Sequence, residues 1–284
     1  MNDEQTIEVK TANEYLDGLL TDDARIDIKS QVKTFINIFN KKCSSKTASI
    51  ESLRDEYGTF FDGIKKRIRT NPIYRSNFSI SMIRTTMDSV MIICFYCRLD
   101  ENEDLFNRIR DYAEKISFPK NYLSLFSRIA TVCEEKDLSI QNRITSLQWI
   151  TAPMLDSNLN ENISSVRESM FKAMNGKILY RHKFLFSNHF KKIALMEIDS
   201  KTTPQGKIDS IIDCKTYTED CIRLSTSTGI NADTFLPALI YILLRAKPPR
   251  LHSNMQFLSY FSQPTGEQVY YLANLVIKIG RAHV

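Results

Sequence analysis

Glycine and proline are scarce in this sequence, with 8 of each among 284 residues. The alternation of apolar and polar residues that marks a half-buried strand never persists for more than a few positions. Apolar residues recur instead at helical spacing, and a hydrophobic content of 43% is enough to fill a sizeable core. The sequence therefore predicts an all-α protein.

Long apolar runs are also missing. No run reaches the roughly 18 to 20 residues that a membrane-spanning helix needs, and the longest candidate, Val90 to Tyr96, is followed closely by Arg98 and Asp100. The N-terminal residues MNDEQTIEVK lack the basic flank and apolar run of a signal peptide. The six cysteines are dispersed, mostly among apolar helical residues. We therefore expect a cytoplasmic protein.

Motifs for catalysis or cofactor binding are weak or missing. There is no glycine-rich phosphate loop, so the chain is not expected to be a GTPase itself. Cys94 and Cys97 have no second pair at zinc spacing, and an apolar helix face explains them. His182 and His189 lack a plausible acid and nucleophile partner with which to form a catalytic site. We predict no metal, no cofactor and no covalent chemistry.

The charge balance is mildly basic. The chain has 38 Lys and Arg against 33 Asp and Glu, a net charge of +5, which does not indicate a nucleic-acid partner. The basic run Lys65 to Arg69 is interpreted as a solvated helix face, with contact to an acidic membrane as the alternative.

The N-terminal half is predicted to be a helical bundle over residues 24–136. A polar leader, residues 1–23, precedes it and is expected to be poorly ordered. Apolar stripes place the helices of the bundle at about 24–41, 50–69, 78–98, 102–115 and 120–135.

The most informative stretch runs from Gly229 to Asn274. Asn231 is a good N-cap, since its side-chain oxygen can accept from the free amides of a first helical turn. Asp233 then falls in that turn, where the helix dipole favours a carboxylate. Apolar residues at helical spacing predict a buried helix from about Ala232 to Arg245.

Two further helices are predicted after this one. Pro248 and Pro249 end the first helix because neither can donate a backbone hydrogen bond. The next helices are expected at about 251–261 and 267–277, with a break at Pro264-Thr265-Gly266 between them. Asn254 is interpreted as a buried amide that fixes the turn after Pro249, rather than as a binding residue.

Five short motifs follow one another in this stretch: Ala232 to Pro237, Lys247 to Pro249, Leu251 to Asn254, Gly266-Glu267 and Tyr270 to Asn274. Together they resemble the signature of the vacuolar protein sorting nine domain. Members of that family are guanine-nucleotide exchange factors for endosomal Rab GTPases. Five motifs in the right order are far more specific than any one of them.

The resemblance resumes upstream, at Asp137 to Ile144, Leu147 to Thr151 and Thr202 to Cys214. It implies an all-helical exchange-factor domain over residues 137–278, with the preceding bundle packed on it. The basic and aromatic segment Ile178 to Lys192 matches nothing in the family pattern. We interpret it as an inserted packing loop, with a contact to acidic lipid or RNA as the alternative. The last six residues, 279–284, are expected to be a non-native tail, because codons that would encode them resemble a common sequencing adaptor.

Asp233 is the first candidate functional residue. Its spacing alone favours a helix-dipole acid, worth about 0.3 to 1 kcal/mol. The resemblance implies more, because the matching acidic residue of the family reaches into the nucleotide pocket of the GTPase. A carboxylate there disturbs the magnesium ion and pairs with the phosphate-binding lysine, which both hold the nucleotide. We therefore assign Asp233 as the exchange residue.

The resemblance implies four further contacts with the GTPase. Tyr270 matches a tyrosine that hydrogen-bonds a switch region, although its residue type alone fits a half-buried packing residue equally well. Helical spacing places Tyr270, Ala273 and Asn274 on one face. Ala273 stands where the family usually has threonine, and a lost hydroxyl would remove a contact worth about 0.5 to 1.5 kcal/mol. Pro237, expected in or near the first turn of its helix, belongs to the implied apolar surface that receives the switch regions.

The sequence therefore predicts an exchange factor that releases GDP from an endosomal, Rab five-type GTPase and has a peripheral contact with early endosomes. The alternative is a non-catalytic helical adaptor that binds a Rab GTPase or a membrane partner without exchange. Ala273 and the unusual C-terminal residues 279–284 favour it. The two differ in one property. An exchange factor binds the nucleotide-free GTPase tightly, whereas an adaptor prefers the GTP form.

Overall fold

Helices form all of the regular secondary structure in the described part of the chain. The computed structural model describes residues 22–45, 47–71, 74, 90–175, 195–226 and 229–263, with backbone only at 22, 90–102 and 175. The prediction of an all-α protein is confirmed over these residues. Seven α-helices lie among them: α1 Asp22–Ser44, α2 Ile50–Thr70, α3 Val90–Ser146, α4 Ser164–Asn175, α5 Pro204–Ser225, α6 Ala232–Ala246 and α7 Leu251–Phe261.

The chain divides into two compact units, residues 1–125 and 126–284. In the first unit, α1 and α2 form where the apolar stripes predict them, and Ser49 caps α2 by accepting from the backbone amide of Ser52. Aromatic rings fill the core, as where Phe35 stacks on Phe60 with centroids 4.2 Å apart.

A buried polar pair also lies in this core. The Tyr57 hydroxyl donates to the Glu114 carboxylate over 2.7 Å. Burial and the adjacent Glu114 hold the pKa of Tyr57 well above its usual range, so the phenol keeps its proton and the buried carboxylate keeps its donor.

Helix α3 corrects one prediction. We expected separate helices at 78–98, 102–115 and 120–135, but residues 90–146 form one continuous helix of 57 residues. Pro119 lies inside it and denies the carbonyl of Lys115 its usual amide donor. The helix continues because Phe118 and Leu125, one on either side, are both fully buried. Residues 78–89 lie outside the described part.

In the second unit, the last turns of α3 and helices α4 to α7 surround one apolar core. Helix α6 contributes most to it, since eight of its fifteen residues are buried: Phe235, Ala238, Leu239, Tyr241, Ile242, Leu243, Leu244 and Ala246. The predicted bounds of α6 and α7 are confirmed, α6 ending one residue later than expected. This packing fixes α6 along its whole length.

Among the described residues, no helix is long and apolar enough to cross a membrane. Cys43, Cys133, Cys214 and Cys221 are buried and form no disulfide, as their apolar helical context indicates. Burial raises the pKa of Cys214 and of Cys221 to about 12, so both are unreactive structural thiols. The side chains of Cys94 and Cys97 lie outside the described part.

Candidate functional site

The N-terminus of α6 is held by a reciprocal pair of hydrogen bonds. The side-chain oxygen of Asn231 accepts from the backbone amide of Thr234 over 2.9 Å, and the Thr234 hydroxyl oxygen accepts from the backbone amide of Asn231 over 3.0 Å. Asn231 itself is extended, at φ −140° and ψ 179°. This capping box satisfies two of the free amides at the helix start and confirms Asn231 as the N-cap.

Asp233 is the second residue of α6, inside this capped turn. Its side chain is exposed and makes no hydrogen bond or ion pair with another described residue. The carboxylate therefore projects into solvent from a backbone that the capping box and the buried face of α6 hold in place. Such an arrangement presents a negative charge to a partner, and the backbone that carries this charge loses little conformational entropy on binding.

Pro237 lies one turn after Asp233. The structure places it at the sixth position of α6, in the second turn, just past the first turn in or near which we expected it. A proline here has no amide to donate to the carbonyl four residues earlier, which is that of Asp233. Pro237 is half-buried, while Phe235 and Leu239 on either side of it are buried in the core. It leaves the Asp233 carbonyl available to another donor.

The other predicted contacts follow α7 in the sequence. Tyr270, Ala273, Asn274 and the predicted helix at 267–277 lie outside the described residues, as do the segment 178–192 and the tail 279–284.

The end of α3 holds the corner at which α6 ends. Gln148 donates to the carbonyl of Leu244 over 2.6 Å, and Gln141 donates to the carbonyl of Pro248, also over 2.6 Å. These carbonyls belong to the last turn of α6 and to the connection that follows, where no intrahelical donor remains. Lys247 ends α6 in the left-handed region, at φ 50°.

Helix α7 begins without a capping side chain of its own. Arg250 precedes it at φ 45° and provides no side-chain hydrogen bond to the helix start. The buried carboxylate of Asp137 on α3 takes that place, since it accepts from the amide of His252 over 2.8 Å, from the amide of Ser253 over 3.2 Å and from the Ser253 hydroxyl. A residue 115 positions away in sequence from His252 thus caps α7.

A buried lysine joins α5 to α7. The ammonium of Lys207 donates to the carbonyl of Ile198 over 2.5 Å and to the side-chain oxygen of Asn254 over 2.6 Å. It also lies 5.1 Å from the ring centroid of Phe126 and 5.5 Å from that of Phe257. Burial lowers the pKa of Lys207 to about 7, although the nearby Asp199 opposes this shift.

Asn254 completes this network. Its amide nitrogen donates to the carbonyl of Arg250 over 2.9 Å, to that of Pro249 over 3.4 Å and to the Asp199 carboxylate over 3.0 Å. Asp199 in turn pairs with the Arg250 guanidinium. The interpretation of Asn254 as a buried amide that fixes the turn after Pro249 is confirmed.

The stretch that contains α5, α6 and α7 matches a known family. Residues 190–279 match the vacuolar sorting protein 9 (VPS9) domain. The chain carries a VPS9 domain. The matched range contains α5, α6 and α7, and with them Asp233, Pro237 and the Lys207 network. The family resemblance predicted from the sequence motifs is confirmed.

Curated proteins that resemble the chain bear exchange-factor and sorting names. It is 36% identical over 172 residues to a Rab5 GDP/GTP exchange factor from Homo sapiens, an alignment that covers 59% of this chain and 31% of that protein. It is 28% identical over 180 residues to vacuolar protein sorting-associated protein vps901 from Schizosaccharomyces pombe, which covers 57% of this chain and 27% of that protein. The chain thus spans less than a third of the length of each of these two relatives.

Three residues that support the VPS9 domain were not predicted as structural residues: Asp137, Asp199 and Lys207. Each is charged, and the sequence shows only that it stands beside apolar helical positions. Asp137 is the first residue of a motif that resembles the family, and this position in the motif was the one feature of the sequence that could have indicated a structural role. Among the described residues, no group of three or more His, Cys, Asp or Glu side chains could hold a metal ion.

Proposed function

We propose that this protein is a guanine-nucleotide exchange factor that releases GDP from an endosomal, Rab5-type small GTPase. The observation that carries the proposal is the exposed Asp233 carboxylate on the capped first turn of α6, inside a VPS9 domain. The relatives named as Rab5 GDP/GTP exchange factors support the same activity and the same partner.

Asp233 acts as an acidic finger in this proposal. A GTPase holds its nucleotide through a magnesium ion and through a lysine that contacts the phosphates. A carboxylate inserted beside them repels the phosphates, competes for the magnesium ion and offers the lysine another partner. Because α6 is buried along one face and capped at its start, Asp233 reaches the pocket as part of a rigid body.

Four residues are proposed to hold the GTPase beside this finger. Pro237 contributes to the apolar surface that receives the switch regions, and Tyr270 anchors one of them with its hydroxyl. Ala273 and Asn274 lie on the same predicted helix face as Tyr270. Ala273 lacks the hydroxyl usual in the family, so we expect weaker exchange or a different preference among Rab GTPases.

The protein makes no covalent bond and needs no cofactor of its own in this proposal. It binds the GDP-bound GTPase first and the nucleotide-free form most tightly, in the cytoplasm and at the surface of early endosomes.

We also propose that the exchange domain begins near residue 137, before the matched range. Asp137, Gln141 and Gln148 support this boundary, because all three bond to backbone groups between residues 244 and 253. Without them the end of α6 and the start of α7 would lose their partners. Residues 24–136 are proposed to form a separate helical bundle.

The experiment is release of fluorescent GDP from purified endosomal Rab GTPases, with wild type beside Asp233→Ala and the isosteric Asp233→Asn. Loss of a charged contact predicts release slower by about ten- to hundredfold in both variants. Glu168→Gln is the matched control, since it removes one exposed carboxylate from α4, where it pairs with Lys172. Equal release rates for Asp233→Asn and Glu168→Gln would refute the acidic finger.

The adaptor is the second candidate function, and Ala273 favours it. It is tested by binding to one Rab GTPase in its nucleotide-free, GDP and GTP forms. Tightest binding to the nucleotide-free form supports exchange. Tightest binding to the GTP form, with no acceleration of release from any member, supports the adaptor.

A further inference from the structure

An exposed tryptophan lies at the corner formed by the ends of α3 and α6. Trp149 is the single tryptophan of the chain, and 68% of it is accessible to solvent. Met154, five residues later, is 61% exposed. The Arg245 guanidinium donates to the carbonyl of Gln148 over 3.4 Å, which places the end of α6 directly beside Trp149.

The exposed side chains are held on a rigid support. Leu147, Ile150 and Leu155 alternate with them along the chain and pack against the core of the unit. Gln148 donates to the carbonyls of Ile144 and Leu244. These hydrogen bonds hold the backbone next to Trp149 in place. Two large apolar side chains thus face solvent from a segment in which Leu147, Ile150 and Leu155 are partly buried against the core.

The two segments that meet here contain no acidic residue. None occurs between Asp137 and Asp156, and none occurs between Asp233 and Glu267. The bases Arg143, Arg245 and Lys247 are exposed on these segments. Two carboxylates lie close to this corner. Asp156 is exposed two residues after Met154, and Glu161 accepts from the Tyr241 hydroxyl, which also accepts from Arg245. Against these two charges, the three bases leave the corner with a net charge of +1.

We propose that this corner, defined by Arg143, Trp149, Met154, Arg245 and Lys247, docks on the surface of an anionic lipid bilayer. Tryptophan is favoured at the level of the lipid headgroups, because its ring is apolar and its N–H can reach water or phosphate. Bases beside it are attracted to anionic headgroups. Two exposed apolar side chains are too few for a stable protein interface, which buries about 1,200 to 2,000 Å².

The corner lies at the opposite end of α6 from Asp233. A helix of fifteen residues is about 22 Å long at 1.5 Å per residue. A bilayer at one end of α6 therefore leaves the carboxylate at the other end free to meet a protein. The lipid proposal does not depend on the proposed exchange activity, because it requires no GTPase.

The experiment uses the full chain with vesicles of phosphatidylcholine, alone or mixed with phosphatidylserine, and no GTPase. The expected result is a blue shift of the Trp149 emission on the mixed vesicles only, with quenching by brominated lipid. Each base near an anionic surface strengthens binding about fivefold, so Arg143→Gln with Lys247→Gln should weaken co-sedimentation about 25-fold. Trp149→Ala should also weaken it.

Two controls match these variants. Lys172→Gln with Arg223→Gln removes the same charge from α4 and α5, where each base is paired with a glutamate. Phe171→Ala removes a partly exposed aromatic ring from α4. Both controls should bind the vesicles as wild type does.

Three results would overturn the lipid proposal. The first is an unshifted Trp149 emission on anionic vesicles, and the second is equal weakening by the test and control variants. The third is a blue shift on adding polyglutamate or RNA but none on vesicles, which would assign the corner to another class of partner. GDP release measured in solution without vesicles reports separately on exchange, so failure of one proposal is distinguishable from failure of the other.

Discussion

Asp137 and Ser253 are joined twice, since the Asp137 carboxylate accepts from both the backbone amide and the hydroxyl of Ser253. The same carboxylate accepts from the amide of His252, so it satisfies two of the free amides at the start of α7. Asp137 precedes the range that matches the VPS9 domain, whereas Ser253 lies within it. The hydrogen bonds therefore connect α3 to the matched domain at one buried point.

Removal of the Asp137 carboxylate should destabilise this connection. We expect Asp137→Ala to lower the free energy of unfolding by about 2 to 3 kcal/mol, because a buried charged acceptor with three donors is lost. Asp137→Asn should cost less, since its amide oxygen can still accept. The measurement is urea unfolding, with Glu134→Ala on the exposed face of α3 as control, expected within about 0.5 kcal/mol of wild type. A loss no larger than that of the control would show that α7 does not need this cap.

Lys207 predicts how stability depends on pH. Burial lowers its pKa from 10.5 to about 7, so between these values the unfolded chain binds a proton that the folded protein has released. Stability contributed by this group therefore rises with pH across the window, by about 2 kcal/mol between pH 7 and pH 9. The window stops near pH 9, because Cys214 and Cys221 have raised pKa values and oppose the trend above it.

The test compares wild type with Lys207→Met by chemical unfolding at intervals from pH 7 to pH 9. The slope with pH should decrease in Lys207→Met and persist in Lys136→Met, which removes an exposed lysine from α3. Parallel profiles for wild type and Lys207→Met would mean that the lysine keeps its proton in the folded state, held by Ile198 and Asn254.

Local patterns made the C-terminal helices predictable. Asn231, Pro248 and Pro249 act through the backbone of their own neighbours, so the bounds of α6 and α7 followed from the sequence. The same local reasoning was wrong for α3, because the apolar stripes predicted separate helices where residues 90–146 form one helix that continues through Pro119. Burial of Phe118 and Leu125 outweighs the lost hydrogen bond there, and burial depends on residues distant in sequence.

The candidate site divides in the same way. The position of Asp233 in a capped first turn was predictable, because the cap and the motif lie beside it in the sequence. Its role in exchange stays a prediction. Lys207, Asp199 and Asp137 were not, because a charged residue in a helical pattern looks solvated until its partner is known. Lys207 meets Asn254 across 47 positions and Asp137 meets Ser253 across 116. No period or short motif encodes such a pairing.

The capping box predicts that the position of Asp233 depends on Asn231. Asn231→Ala should lower stability by about 0.5 to 2 kcal/mol and fray the first turn of α6, because the amide of Thr234 loses its acceptor. GDP release should slow as well, since a frayed turn no longer fixes the carboxylate. Hydrogen exchange of the first-turn amides, measured beside the release rate, checks both effects.

Asn231→Asp keeps an acceptor at the cap and should restore protection and release together. Full release by Asn231→Ala with an unprotected first turn would separate the cap from the activity.

Substitution of Pro237 by alanine should raise the stability of the protein and lower its exchange activity. Pro237→Ala restores an amide that can donate to the Asp233 carbonyl, and alanine favours a helix interior, so we expect a gain of about 2 kcal/mol after the entropy of the unfolded chain is included. Release of GDP should nevertheless slow, because the ring that we propose contacts the switch regions is gone.

Pro237→Leu restores the same amide but keeps an apolar side chain, so it should match the alanine variant in helix protection and retain more of the release rate. Thermal unfolding and fluorescent GDP release on the three proteins measure the two effects separately. A Pro237→Ala variant that is less stable than wild type would mean that the ring packs against the core more than it strains α6. An unchanged release rate in that variant would instead remove Pro237 from the GTPase surface and leave it as a structural residue.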